Sequence, residues 1–144
     1  MADLAPQNLG NHTRFDPAFH FFLIPVFLIT FIGFTWIAIT HLSVHSVWHA
    51  VIALALLLAV FHIRVYALKV QDRVIRLEER IRLSAILEGS LRPRIGELST
   101  KQLVALRFAS DGEVAGLVEK ALNGATPKEI KAGIVNWRAD YERV

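Results

Sequence analysis

The hydrophobic pattern changes character twice along the chain. From Ala18 to Thr40 (AFHFFLIPVFLITFIGFTWIAIT) apolar residues follow one another with no polar face, and a second such run extends from Val47 to Leu68. As helices these runs reach about 34 and 33 Å at about 1.5 Å per residue, enough to cross a hydrocarbon core of about 30 Å. No amphipathic alternation breaks either run, which argues against two buried helices of a soluble domain. The first run is longer than the roughly 7–15-residue core of a signal peptide. It also has no basic lead and no small-x-small cleavage site after it. Asp16 and Pro17 supply a helix start, an N-cap carboxylate followed by proline at the first helical position. Pro25 is expected to kink the first helix.

Beyond Arg64 the pattern becomes that of a half-polar helix. No Gly or Pro occurs until Gly89, so the second helix is expected to continue to about Glu88. Ile63, Ala67, Val70, Val74, Leu77, Ile81 and Ser84 are spaced 4, 3, 4, 3, 4, 3, a heptad seam. It can pack against the chain's own C-terminal part or against a second copy. Asp72–Arg76 and Glu78–Arg82 have the spacing of acid-before-base pairs on one helix face.

After Gly89 three capping boxes follow one another. Ser99–Gln102 opens a helix expected to reach Ala109, Ser110–Glu113 one to Leu122 closed by Gly124, and Thr126–Glu129 a third with Pro127 at its start. Val114, Leu117, Val118, Ala121 and Leu122 form one apolar stripe. Ile130, Ile134, Trp137 and Tyr141 form another, in which Trp137 either completes a small core or anchors an interface.

Charge sharpens this outline. Between Pro17 and Ile63 there is no Lys, Arg, Asp or Glu, whereas residues 64–144 hold 15 of the 16 basic and 11 of the 13 acidic side chains. Only Arg14 precedes the first run closely and the turn 41–46 has no basic residue, while Arg64, Lys69, Arg73, Arg76, Arg80 and Arg82 follow the second. The positive-inside rule then places both termini in the cytoplasm. Trp36, Trp48 and Tyr66 lie near the run ends, where amphipathic rings favour the interface. The basic residues just past the membrane suit anionic lipid headgroups. No aromatic interleaving or binding motif points to nucleic acid. The absence of cysteine excludes disulfides, thiolate metal sites and cysteine catalysis, and 144 residues divided in this way leave no room for a large enzyme domain.

Two side-chain clusters in the apolar runs have potential as interfaces. Phe27, Phe31 and Phe34 share one helix face, as lipid-facing bulk, as helix packing, or as a docking face for a larger membrane partner or a pigment. Ala55 and Ala59 form a small-xxx-small step continued by His62 and Tyr66, suited to close approach of another helix, whether the first run or another protein.

The six histidines, His12, His20, His41, His45, His49 and His62, all precede the charged half. His41, His45 and His49 have metal-site spacing, but the chain must reverse among them and no acid stands nearby as an outer partner, so no metal site is expected. Folding the hairpin about residue 44 puts His20 and His62 in the same half of the bilayer, His62 about a turn or more deeper. Two such histidines can ligate haem, and one suffices for a chlorophyll magnesium. There is no Gly-rich phosphate loop and no nucleophile–base set, so no catalytic residue is assigned.

The segments Asn11-His-Thr-Arg-Phe-Asp-Pro17, Gln71-Asp-Arg73, Gln102-Leu-Val-Ala-Leu-Arg-Phe-Ala-Ser110 and Asn136-Trp-Arg-Ala-Asp-Tyr141 resemble those of a family of small bacterial double-pass membrane proteins. That family carries an unknown-function label and is sometimes called an ABC transporter permease. The resemblance covers nearly the whole chain and implies a bacterial inner-membrane setting, without an activity. Two helices build no translocation path alone, and no intramembrane charge marks one.

The expected fold is an all-α membrane protein: an N-terminal cytoplasmic segment (1–16), a two-helix transmembrane hairpin (17–40 and 47–68) with an external turn (41–46), an amphipathic stalk continuing the second helix (69–88), and a cytoplasmic cap of three short helices (89–144). The function expected is that of a non-catalytic accessory protein associated with a larger membrane complex or with copies of itself. The alternative is a haem- or chlorophyll-binding subunit using His62 and His20.

Overall fold

The computed structural model describes residues 6–11 and 16–141. His12, Arg14 and Phe15, which enter the sequence reading, lie outside the described residues. The described chain is helical, with a π-helical stretch Ala18–Leu23 leading into α1 (Ile24–Thr40), then α2 (Val44–Ile86), a 3-10 turn Arg92–Glu97, α3 (Thr100–Leu106), α4 (Val114–Leu122) and α5 (Pro127–Ala132). Two helices, Ala18–Thr40 and Val44–Ile86, are long and apolar enough to cross a membrane. The described residues divide into two compact units, one of residues 16–68 and one of residues 69–141 with 6–11.

In the first unit, helix formation starts as the sequence reading expects. The Asp16 carboxylate accepts from the Phe19 N–H at 3.2 Å, and the Asp16 carbonyl accepts from the His20 N–H at 2.9 Å. The disturbance expected at Pro25 takes the form of the π-helical stretch just before it. Proline offers no N–H to the carbonyl four residues back and its ring crowds that carbonyl, so the preceding turn widens. The hydroxyls of Thr30 and Thr40 donate to the carbonyls of Val26 and Trp36, which satisfies them without a polar neighbour.

The reversal is tighter than expected. Ser43 and Ser46 form a reciprocal cap, the Ser43 Oγ accepting from the Ser46 N–H at 3.1 Å and the Ser46 Oγ from the Ser43 N–H at 3.0 Å. That cap starts α2 at Val44, three residues before the expected Val47. Phe34 stacks on His49 with ring centroids 5.3 Å apart, and the Arg64 guanidinium lies 5.4 Å from the Phe19 ring centre. Both contacts centre the antiparallel hairpin between residues 41 and 42, not on 44.

In the second unit, Leu83 of the polar part of α2 and Leu87, just past its end, join an apolar core. Phe108 and residues of α3, α4 and α5 complete it, among them Leu103, Leu106, Val118 and Ile130. Helix α2 ends two residues before the expected Glu88, and Gly89 takes φ +57°, the left-handed conformation that stops a helix without a side-chain penalty. Helix α4 ends at Leu122 and is closed by Gly124, φ +94°, with the Ala125 N–H donating to the Lys120 carbonyl at 3.0 Å.

Two helices of the cap are shorter than the sequence suggested. Helix α3 stops at Leu106 and α5 at Ala132, because Ala109 and Trp137 form an antiparallel bridge. The Ser110 N–H donates to the Asn136 carbonyl and the Arg138 N–H to the Phe108 carbonyl, at 3.1 and 2.7 Å. The extended pairing takes the backbone groups that a longer α3 or a longer α5 would have used internally.

Candidate functional site

Along α2 the residues turned toward α1 are Ser46, Ala50, Ala53, Leu57, Val60 and Arg64, all buried or half-buried. The same seam on α1 includes Phe27, Phe31 and Phe34, each half-buried. The phenylalanine ridge is thus the packing face of the hairpin, with Phe34 on His49, rather than a free docking face. Ala55 and Ala59 fall on the opposite side of α2 at about 100° per residue and are exposed with His62 and Tyr66. The first run is therefore not the helix that the small-residue step receives. An apolar recess of about 550 Å³ beside the reversal is lined by Leu42, Ser43, Val44, Val47, Trp48 and Val51.

The structure does not bring His20 and His62 together. With the hairpin centred between residues 41 and 42 they stand at nearly one level, but His62 faces away from α1. Its Nδ1 donates to the Leu58 carbonyl at 2.8 Å and its ring meets Tyr66 edge-on. His20 Nδ1 donates to the Asp16 carbonyl at 2.8 Å. His41 lies in the turn while His45 and His49 are on α2, so the reversal breaks the three-histidine spacing as anticipated. Among the described residues no group of three His, Cys, Asp or Glu is placed to hold a metal ion.

The polar part of α2 has two opposed faces. One carries Ile75, Glu79 and Leu83, continued by Leu87 just past the helix end, four apart and all buried. The other carries the heptad positions Val70, Val74, Leu77 and Ile81, all exposed. The self-packing expected as one use of the seam does not occur. The cap covers the face with spacing four, because Leu83 and Leu87 there meet its core while the seam points away.

Sequence reading missed the charged cluster at the edge of that buried face. Arg82 pairs with Glu79, three residues back, not with Glu78 as the spacing suggested. Arg82 Nη1 lies 2.9 Å from Glu79 Oε2, while Nε and Nη2 donate to Asp111 Oδ1 at 2.9 and 2.6 Å and Nη2 to the Ala109 carbonyl at 2.7 Å. Arg138 Nη1 approaches Glu79 Oε1 at 3.4 Å. Burial pushes the Glu79 carboxyl above its usual range, against the pull of Arg82, Arg138 and Arg107. Arg107, itself buried, pairs with Asp140, and the Gln7 side chain exchanges two 2.9 Å hydrogen bonds with the Asp140 backbone. A cleft of about 440 Å³ opens between Arg82, Ser110, Asp111 and Arg138. No periodicity marks these partners, since they come from parts of the chain up to 133 residues apart.

The capping boxes at Ser99–Gln102 and Thr126–Glu129 form fully. Gln102 also donates to the carbonyls of Ala121 and Ala125 at the end of α4. The third box is only half made. Glu113 accepts from the Ser110 N–H and hydroxyl, but its carboxylate also receives the N–H groups of Val135 and Asn136, both at 3.0 Å. Desolvation works to raise its pKa, but the backbone donors Val135, Asn136 and Ser110 outweigh it, and the carboxyl sits below the usual range. A depressed carboxyl stabilises the fold above its unfolded pKa and loses that contribution as the pH falls through the folded value. Glu113→Gln should therefore cost about 1–3 kcal/mol at neutral pH and show a flatter acid limb than the parent. Urea unfolding followed by Trp137 emission in a W36F/W48F background at pH 7 and pH 4 checks this. Equal loss of stability on acidification in both chains would contradict it.

Trp137 is half-buried, its ring centroid 5.3 Å from that of Phe108, and so completes the cap core rather than anchoring an exposed interface. No curated protein and no solved structure matches the chain. The model of a family of unknown function, DUF6526, matches residues 1–144, the whole chain, which therefore belongs to that family.

Proposed function

We propose that the protein is a non-catalytic accessory protein of the bacterial cytoplasmic membrane, which inserts its hairpin beside a larger membrane complex or beside copies of itself. The observation that carries this reading is that α1 has no buried residue at all and that the apolar part of α2 also keeps most of its large side chains at the surface. In water that much contiguous apolar surface is unfavourable, whereas in lipid it costs nothing. Both termini are assigned to the cytoplasm on the Lys and Arg count, and Arg64, Lys69, Arg73, Arg76 and Arg80 would then meet anionic headgroups. The exposed Ala55–Ala59 step and the uncovered stalk seam offer surfaces for a partner.

The test uses the cysteine-free chain. It should stay in the membrane pellet through alkaline carbonate. Ser43→Cys should react with an impermeant maleimide in intact cells, and Lys128→Cys only after lysis. Carbonate extraction or the reverse labelling would sink the reading. So would migration of the gently solubilised protein as a lone 16.2 kDa chain.

A second reading rests on His62. Donation from Nδ1 to Leu58 fixes the ring so that Nε2 points outward as a ligand, and a haem or chlorophyll could be held there between His62 and a partner's group. A visible absorption spectrum of protein purified from native membranes decides it: a Soret or chlorophyll band lost in His62→Ala supports ligation, and a featureless spectrum removes it.

A further inference from the structure

The heptad seam on α2 is a surface with a built-in partner specification. We infer that it joins two copies of this chain as a parallel two-stranded coiled coil; the inference rests on the membrane reading above, which would insert both copies in the same sense.

The seam residues Val70, Val74, Leu77 and Ile81 are 63, 49, 62 and 62 % exposed. Spacing of 4 and 3 sets Val74 and Ile81 at a positions and Val70 and Leu77 at d positions. Branched Val74 and Ile81 at a with Leu77 at d follow the pattern that favours two parallel strands, and Val70 at the other d position departs from it. At about 100° per residue the seam stands directly opposite Ile75, Glu79, Leu83 and Leu87, which are buried. The cap is therefore seated on the back of the helix, and a second helix meets no obstacle in front.

The flanking charges choose the orientation. In this register Arg73 and Arg80 occupy g positions and Glu78 an e position, all three exposed. A parallel pair brings each Arg73 to the other copy's Glu78, five residues on, giving two symmetric ion pairs. An antiparallel pair would set arginines at g against one another.

Single-cysteine variants of the full chain, oxidised mildly in membranes, test this directly because the parent has no cysteine. V70C, V74C, L77C and I81C should each form a disulfide-linked species of twice the 16.2 kDa chain mass, since identical a and d positions face each other within disulfide reach. K128C, on the cap surface, should not. In detergent, R73E and E78R should each lower the dimerisation constant roughly three- to tenfold, and the double variant R73E/E78R should restore it. Absence of cross-linking at all four seam positions overturns the homodimer, as does a double charge swap that fails to rescue. A large native species without seam cross-links would mean that a different protein covers the seam; this overturns the homodimer while leaving the accessory reading intact. A lone monomer in native membranes overturns both.

Discussion

At pH 7, Arg82→Ala should destabilise the cap by about 3 kcal/mol, and the loss should shrink as the pH falls toward 5. Glu79 is 4 % exposed, and the Arg82 guanidinium at 2.9 Å is its closest charge partner. Without it the carboxylate retains Arg138, at 3.4 Å and on a side chain 53 % exposed, a weak substitute. Burial already holds the Glu79 carboxyl above its ordinary value of 4.5 with three arginines opposing it, so removing one drives it higher still. Taking up a proton is always open to the carboxyl, and this bounds the penalty from its charge. Neutralising a carboxyl of ordinary pKa at pH 7 costs about 3 kcal/mol, since each pKa unit is about 1.4 kcal/mol.

The bond to Asp111 adds little, because that carboxylate's side chain is 69 % exposed. A folded-state pKa raised above the unfolded one favours folding at low pH, so the variant recovers relative to the parent on acidification. Arg82→Met combined with Glu79→Met should regain most of the loss, since apolar residues of similar volume replace a buried pair without an orphan charge. Urea unfolding of the full chain in detergent, in a W36F/W48F background so that only Trp137 emits, measures both effects. A loss that is independent of pH, or a double variant no better than the single, would refute the account.

Phe108→Ala should unfold the cap while leaving the hairpin helical. Phe108 is fully buried and lies against Trp137, and among the described residues it is the largest fully buried side chain. Truncating such a residue costs about 3–5 kcal/mol through lost burial and an unfilled cavity. A core this small stabilises its unit by only about 3–5 kcal/mol in total, so the two figures meet. Emission from Trp137 should already be red-shifted without urea, with loss of part of the far-ultraviolet helical signal but not of the hairpin's share. Phe108→Leu leaves less empty volume and should retain a cooperative transition at a lower midpoint. An unchanged midpoint in Phe108→Ala would mean that the cap is held by something other than this core.

Helix type and order were readable along the chain because each signal is local. Unbroken apolar runs, Asp16-Pro17, Gly89, Gly124 and the caps at Ser99 and Thr126 act through residues three or four apart, and the structure places helices where they point, whereas the Ser110 box yields to a helix that starts only at Val114. The errors are of the same kind. Ser43 and Ser46 form a cap made of two serines, and it starts α2 earlier than the apolar run alone suggests. The stripe Ile134–Trp137–Tyr141 looked helical by spacing, yet backbone pairing with residues 108–110 won, giving the Ser110 and Arg138 N–H groups the Asn136 and Phe108 carbonyls.

What the sequence by itself determined is the division into a charge-free helical pair and a charged helical end, since hydropathy, charge and capping are carried by neighbouring residues. Only the tertiary structure decided which face of each helix is used. Phe27, Phe31 and Phe34 turn inward to α2, Ala55 and Ala59 turn outward, and the cap covers Glu79 and Leu83 while leaving Val74 and Leu77 bare. Several faces of one helix can be apolar enough to pack, and the choice among them depends on partners such as Arg138, Asp111 and Phe108 that lie far away in the chain. The buried Glu79–Arg82 pair belongs to the same class: two charges three residues apart look like solvated helix surface until a core folded from distant segments closes over them.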